Sequence, residues 1–196
     1  MPVFEESGLR FDFDARWAVR KYDAHRFFQG FSGAGLKGVD FIALHGSTLI
    51  LLEIKNYQRR QRWQTENPFD PILAAPGSFA NHMASKYLDT LRALRAIGTY
   101  YHRQWLFRLL HPVLVRLPGR KMDWVFWARV DQHLREGRPV TALLWLETEP
   151  KQTDFLATLK VAITPLLRAS VATFQIVNLE GAQIPEGITV TALPDQ

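Results

Sequence analysis

The chain has 196 residues, 47% of them hydrophobic and 22% charged, with a net charge of +5 and no cysteine. That balance describes a folded protein with a sizeable core, and the missing thiols exclude disulfides, zinc knuckles and thiol catalysis. No apolar run approaches the roughly 20 residues that span a bilayer, and Met1 to Arg10 carry two acids and no apolar h-region. Neither membrane association nor a signal peptide is therefore expected, and a reducing cytoplasm suits the composition.

Taken in chain order, Leu9 to Phe13 alternates apolar and polar residues and is expected to be a strand. Arg16 to Asp23 also alternates, either as the partner of a hairpin turning at Asp14 and Ala15 or as part of a helix from Ala15 to Phe28. His25 to Phe31 reads as a short helix ended by Gly33 and Gly35. Val39 to His45 and Thr48 to Tyr57 are two strands joined by His45-Gly46-Ser47, a link short enough for a tight hairpin. Leu49-Ile50-Leu51-Leu52 is apolar on both faces, which predicts a central strand covered on both sides. Gln58 to Ser78 is loop-like, with Pro68, Pro71 and Pro76, and Ser78 is a candidate helix cap.

Residues 79–97 place Met83, Tyr87, Leu88, Leu91, Leu94 and Ile97 near one helical face, and 99–110 continue it after a possible break at Gly98. Pro112 to Pro118 reads as a connection or a short strand. Met122 to Gly137 is ambiguous: Trp124 to Trp127 resembles a strand, Asp131 to Glu136 a helix. Val140 to Glu147 is a strand, Gln152 to Arg168 a helix and Thr173 to Leu179 a strand, followed by a surface strand and tail. The class is α/β with a mixed central sheet flanked by helices. Residues 1–196 are read as one domain with a helical insertion at about 79–111.

The charges are unevenly placed. From Lys86 to Lys121 there are eight basic residues, among them Lys86, Arg92 and Arg95, and Asp89 is the only acid. A second cluster, Lys55, Arg59, Arg60 and Arg62, follows the Thr48 to Tyr57 strand. Such asymmetry suits a polyanion, because lysines and arginines that neutralise phosphates release counterions.

The segment with the most chemistry is Gly38-Val39-Asp40-Phe41, then Leu52-Glu53-Ile54-Lys55. Side chains alternate faces along a strand, so Glu53 and Lys55 share one face, and a hairpin can bring Asp40 beside Glu53. Two crowded carboxylates repel, and a divalent cation removes the conflict. Oxygen ligands favour Mg²⁺ or Mn²⁺, which can acidify a bound water and polarise a phosphodiester. Lys55 can hold the attacking water or stabilise developing charge.

At these residues the chain resembles the PD-(D/E)XK nuclease superfamily, whose signature is an Asp opening one strand and Glu/Asp-x-Lys on the next. Asp40 matches the first acid, Glu53 the second and Lys55 the lysine, while Val39 stands in place of the family's Pro. Ser32 to Asp40, with Lys37, looks like the Gly-rich approach of Holliday-junction resolvases, and Glu53 to Tyr57 looks like the NERD branch. The resemblance implies a restriction-endonuclease-like αβββαβ core and a Mg²⁺- or Mn²⁺-dependent nuclease. Its metal would be held by Asp40, Glu53 and the backbone carbonyl of Ile54. Many members add an acid from an N-terminal helix. Glu5, Glu6, Asp12, Asp14 and Asp23 are candidates, Asp23 being nearest in sequence. The expected partner is nucleic acid, DNA before RNA, held by Lys37, Arg59, Arg60, Arg62, Lys86, Arg92 and Arg95. A catalytically weak nuclease-fold subunit of a defence or repair assembly is the alternative, and a homodimer or larger complex stays open.

Other features carry less. Glu149-Pro150-Lys151 repeats the Glu-x-Lys spacing without a preceding acid-bearing hairpin. The six histidines include no pair at ligand spacing, so His82, His102, His111 and His133 read as surface or packing residues rather than zinc ligands. Trp63, Trp105 and Trp124 could stack bases, although Trp105 and Trp124 fit helix packing better.

Overall fold

The computed structural model describes residues 2–33, 35–58, 68–119, 122–148, 153–180 and 184–194. Arg59, Arg60, Arg62, Trp63 and Glu149-Pro150-Lys151 lie outside them. A mixed five-stranded sheet is built from β3 (Ala18–Lys21), β4 (Phe41–His45), β5 (Thr48–Asn56), β6 (Val140–Glu147) and β7 (Thr173–Val177), in that order. The first three strands run antiparallel, and β5, β6 and β7 run parallel to one another. The β4–β5 hairpin turns at Gly46, whose φ of 56° is costly for any residue with a Cβ. The α/β class and the mixed sheet flanked by helices are thus as the pattern predicted.

The two sheet faces have different covers. Ile42, Leu44, Leu49, Leu51, Ala142 and Leu144 face the helices α3 (Pro76–Arg103), α5 (Asp123–Arg135) and α6 (Thr153–Leu167) in one core. Phe41, Ala43, Ile50, Leu52, Leu143 and Trp145 face a second core shared with a three-stranded antiparallel sheet. That small sheet is β1 (Val3–Glu6), β2 (Leu9–Phe13) and β8 (Ile188–Ala192), ordered β1-β2-β8. β5 is therefore a central strand covered on both sides, but the second cover is a sheet. Leu9, Phe11 and Phe13 supply its inward face and Ile188 and Val190 extend it. What reads locally as a tail is fixed by a non-local pairing.

Several local expectations change for the same kind of reason. β2 and β3 belong to different sheets and form no hairpin. The link between them is tied down by Asp14, whose N–H donates to the Gly187 carbonyl, and by Trp17, whose ring N–H donates to that of Glu186. α1 (Arg26–Ser32) follows β3 and is capped at its start by the His25 ring. α2 (Asp70–Ala74) occupies part of the expected loop, and Pro76 rather than Ser78 opens α3. α3 runs unbroken through Gly98, whose missing side chain leaves room for Asp131 of α5. The chain turns instead at Gln104, before α4 (Trp105–Leu114), which continues through Pro112. Trp124 to Trp127 is helical within α5. A helix buried over most of its surface shows the same unbroken apolar run as a buried strand. Trp105 is 69% exposed and is not a packing residue, whereas Trp124 lies against Tyr101 and Phe107. Among the described residues no helix is long and apolar enough to cross a membrane.

Candidate active site

The β4–β5 register pairs Phe41 with Leu52, so Asp40 stands opposite Glu53 where the ladder ends. Directly opposed residues share a face. Ile42, Leu49 and Leu51 point to the helical side, and the two-residue period places Asp40, Glu53 and Lys55 there too. The site thus lies between the sheet and α3. Glu53 is fully buried (0% exposed).

Two ammonium groups meet one oxygen of Glu53. Lys55 Nζ lies 2.6 Å and Lys86 Nζ 2.5 Å from Oε1. The other oxygen, Oε2, is buried with no hydrogen-bond partner. Burial works against the Lys55 charge, but attraction and hydrogen bonding to Glu53 outweigh it and raise its pKa. Lys86 comes from α3, which is locked to the approach to β4 by Thr90. The Thr90 hydroxyl accepts from Val39 N–H at 3.1 Å and donates to the Lys86 carbonyl at 2.7 Å. Lys86, expected at the nucleic acid, thus also holds a site carboxylate. The available signal was its place beside Met83 and Tyr87, at the edge of the buried face of α3.

Asp40 is held from both ends. Its carbonyl accepts from Tyr22 N–H at 2.7 Å, and its Oδ2 accepts from Ile54 N–H at 2.6 Å. Burial, followed by repulsion from Glu53, pushes its carboxyl up to about 6. The N–H and C=O of one strand residue point the same way. The Ile54 carbonyl therefore faces the Asp40 side, past the last ladder pair. Asp23, just after β3, has its pKa raised by burial, and its Oδ1 is buried without a partner. It feels the Lys86 charge, but its donor atoms do not form a tight three-ligand group with Asp40 and Glu53. Glu6, the other near candidate, pairs with Lys21 at 2.7 Å. Tyr87, on the buried face of α3, is a further neighbour. Its hydroxyl is buried and unpartnered, and burial, then Glu53 and Asp40, raise its pKa.

The expected basic residues divide. Lys37 reaches the site's edge, its Nζ 3.2 Å from His82 Nδ1. The His82 pKa is lowered by burial, then by Lys37 and Lys86. Arg92 is largely exposed and pairs with Asp89 at 2.8 Å. On α3, at about 100° per residue, Arg92 lies about 120° and Arg95 about 180° round the helix from Lys86. Neither stands on the side of α3 that carries Lys86 to the carboxylates.

The donor set fits a hard divalent ion. It comprises the Asp40 carboxylate, the free Oε2 of Glu53 and the Ile54 carbonyl, all oxygens at one strand end. Buried unpartnered polar atoms are rare and mark sites for water or an ion; here Glu53 Oε2, Asp23 Oδ1 and the Tyr87 hydroxyl are three. No protein-family model, curated protein or solved structure matches the chain, so the geometry itself carries the functional argument.

Proposed function

We propose that this protein is a metal-dependent nuclease that hydrolyses phosphodiester bonds, of DNA in preference to RNA, through a metal-activated water. The observation that carries this reading is the pairing of a buried, unpartnered Glu53 oxygen with an Asp40 carboxyl pushed up to about 6. Bound Mg²⁺ or Mn²⁺ would supply the acidified water and a Lewis acid on the scissile phosphate. Asp40, Glu53 Oε2 and the Ile54 carbonyl would hold the ion. Lys55, set on Glu53 at the half-open side of the site, orients the attacking water and offsets charge growing on the phosphate oxygens. Lys86 positions the Glu53 carboxylate from the helical side, leaving Oε2 for the ion. Asp23, with its buried and unpartnered Oδ1, would serve as an outer acid.

The strand order supports a restriction-endonuclease-like core. The antiparallel run β3–β4–β5 is followed by helices and the parallel strand β6, as in αβββαβ. The departures are the strands β1 and β2, which precede β3 where the pattern has a helix and join β8 in a second sheet, α1, which falls between β3 and β4, and the extra strand β7.

A second reading is a nuclease-fold subunit that binds without cutting. It is favoured by the capture of Glu53 Oε1 by two lysines and by the absence of a third acid ligand among the described residues. Incubation with single-stranded, double-stranded and branched substrates, with Mg²⁺ or Mn²⁺ against EDTA, separates the two. Metal-dependent cleavage lost on Lys55→Ala, with substrate binding nearly intact, establishes the enzyme. Binding without turnover establishes the subunit.

A further inference from the structure

A second cluster of ligand-type side chains lies where α3, α4 and α5 meet. His102 is in the last turn of α3, His111 in α4 and Asp131 in α5. One ligand atom from each lies within 4.8 Å of the other two. Along α3, His102 is about 24 Å beyond Lys86, at 1.5 Å per residue, so this cluster is separate from the carboxylate site.

Its details are those of a ligand set. His102 Nε2 is 2.8 Å from Asp131 Oδ2, and His111 Nε2 is 3.5 Å from the same oxygen. His111 Nε2 is buried and makes no hydrogen bond. The His111 ring nevertheless bonds the Ala128 backbone. That bond must therefore use Nδ1–H, which leaves the Nε2 lone pair aimed at the carboxylate. A metal-ligating histidine is oriented in just this way, its second ring nitrogen fixed by a backbone carbonyl. The fold also makes room for Asp131: a Cβ on Gly98 would lie only 2.1 Å from Asp131 Oδ1. His102 and His111 are partly accessible, with side-chain exposures of 22% and 19%, while Asp131 is buried; a cleft of about 250 Å³ lined by Arg95, Thr99, Leu134 and Arg135 reaches Asp131.

We propose that His102, His111 and Asp131 form a binding site for Zn²⁺, which would bridge α3, α4 and α5 and keep its fourth position for water. Two imidazoles and one carboxylate suit Zn²⁺ and disfavour Mg²⁺, which prefers oxygen ligands. The His102 to His111 spacing is nine residues and crosses the turn at Gln104, so no short motif reveals it. Arg135 Nε also donates to Asp131 Oδ1 at 3.0 Å and lies 2.9 Å from Oδ2. In the bound state it becomes an outer partner of the carboxylate, opposed by the charge of the ion.

The test is calorimetric titration of the chelator-treated protein with Zn²⁺ and, separately, Mg²⁺, on an Asp40→Asn background that disables the carboxylate site. One equivalent of Zn²⁺ is expected to bind and to raise the melting temperature by roughly 5–10 °C at a hundredfold excess over Kd, with no Mg²⁺ effect. His102→Gln should weaken Zn²⁺ binding by about 100-fold, and His111→Ala should do the same. Arg135→Gln keeps all three ligands and removes a competing cation, so it should tighten binding several-fold. If a histidine variant misfolds, Co²⁺ added to the otherwise intact protein should still give the visible bands of a low-coordinate nitrogen- and oxygen-ligated ion. Absence of a one-equivalent Zn²⁺ site, or binding unchanged in His102→Gln, would overturn the proposal and leave Asp131 as the centre of an ion-pair network.

Discussion

Asp40 titrates near 3.9 when unfolded and at about 6 when folded, so between those values the folded chain holds a proton that the unfolded chain has lost. Stability must therefore fall as pH rises through that window, by roughly 2–3 kcal/mol in total. An asparagine at position 40 can still accept the Ile54 N–H through its amide oxygen but carries no charge to oppose Glu53. Asp40→Asn should thus melt above the natural protein at pH 7 in EDTA, and its stability should vary less between pH 4 and 6. With Mg²⁺ the order should narrow or reverse, since the natural protein gains RT ln(1 + [L]/Kd) and the variant does not. Metal binding and cleavage should both weaken below pH 6, where protons compete for the carboxylate. A natural protein indifferent to Mg²⁺ in melting curves would sink the metal reading. Lys55 makes a different case: Lys55→Ala removes a single charge beside the reacting centre, so cleavage should drop by orders of magnitude while affinity changes little.

At the scale of elements, the site depends on how α3 is docked. Thr90 is fully buried and its hydroxyl serves both Val39 N–H and the Lys86 carbonyl. Thr90→Val keeps the shape but leaves Val39 N–H unpaired, a cost of about 1–3 kcal/mol. Chemical denaturation should register that loss with an unchanged m-value, and a neutral Thr90→Val would show that the hydroxyl does not anchor the helix. The hairpin part of this site was legible in the chain: Asp40, the Gly46 turn, an apolar strand and Glu53-Ile54-Lys55 are local and follow a period of two. The arrival of Lys86 and Tyr87 at Glu53 was not, because it depends on packing another element, Lys86 lying 33 residues beyond Glu53. The same limit applies to β8, whose pairing with β2 spans nearly the whole chain, and to α5, where burial hides the helical period. Asp131 and His111 show the complementary failure. Each is unremarkable among its sequence neighbours, and only the meeting of three helices brings them together.

Across the whole molecule, the net charge of +5 says less than where the charge is spent. Lys55 and Lys86 are partly committed to Glu53, and Lys37 stands beside His82 at the rim of the same site. Arg95 projects from the opposite side of α3, lining the cleft next to Asp131. A phosphate backbone bound for cleavage at Asp40 and Glu53 would therefore meet Lys37 at the rim, with Lys55 and Lys86 already held on Glu53, but not Arg95. If about three phosphates are neutralised, the logarithm of affinity should fall with the logarithm of salt with a slope of about −3. Lys37→Ala should weaken binding at low salt and flatten that slope by about 1, whereas Arg95→Ala should change neither. Filter binding of a labelled duplex across a salt series, in Ca²⁺ or EDTA to prevent cleavage, measures both. Equal losses from the two variants would mean that nucleic acid engages α3 from all sides, and the carboxylate corner would no longer define the binding face.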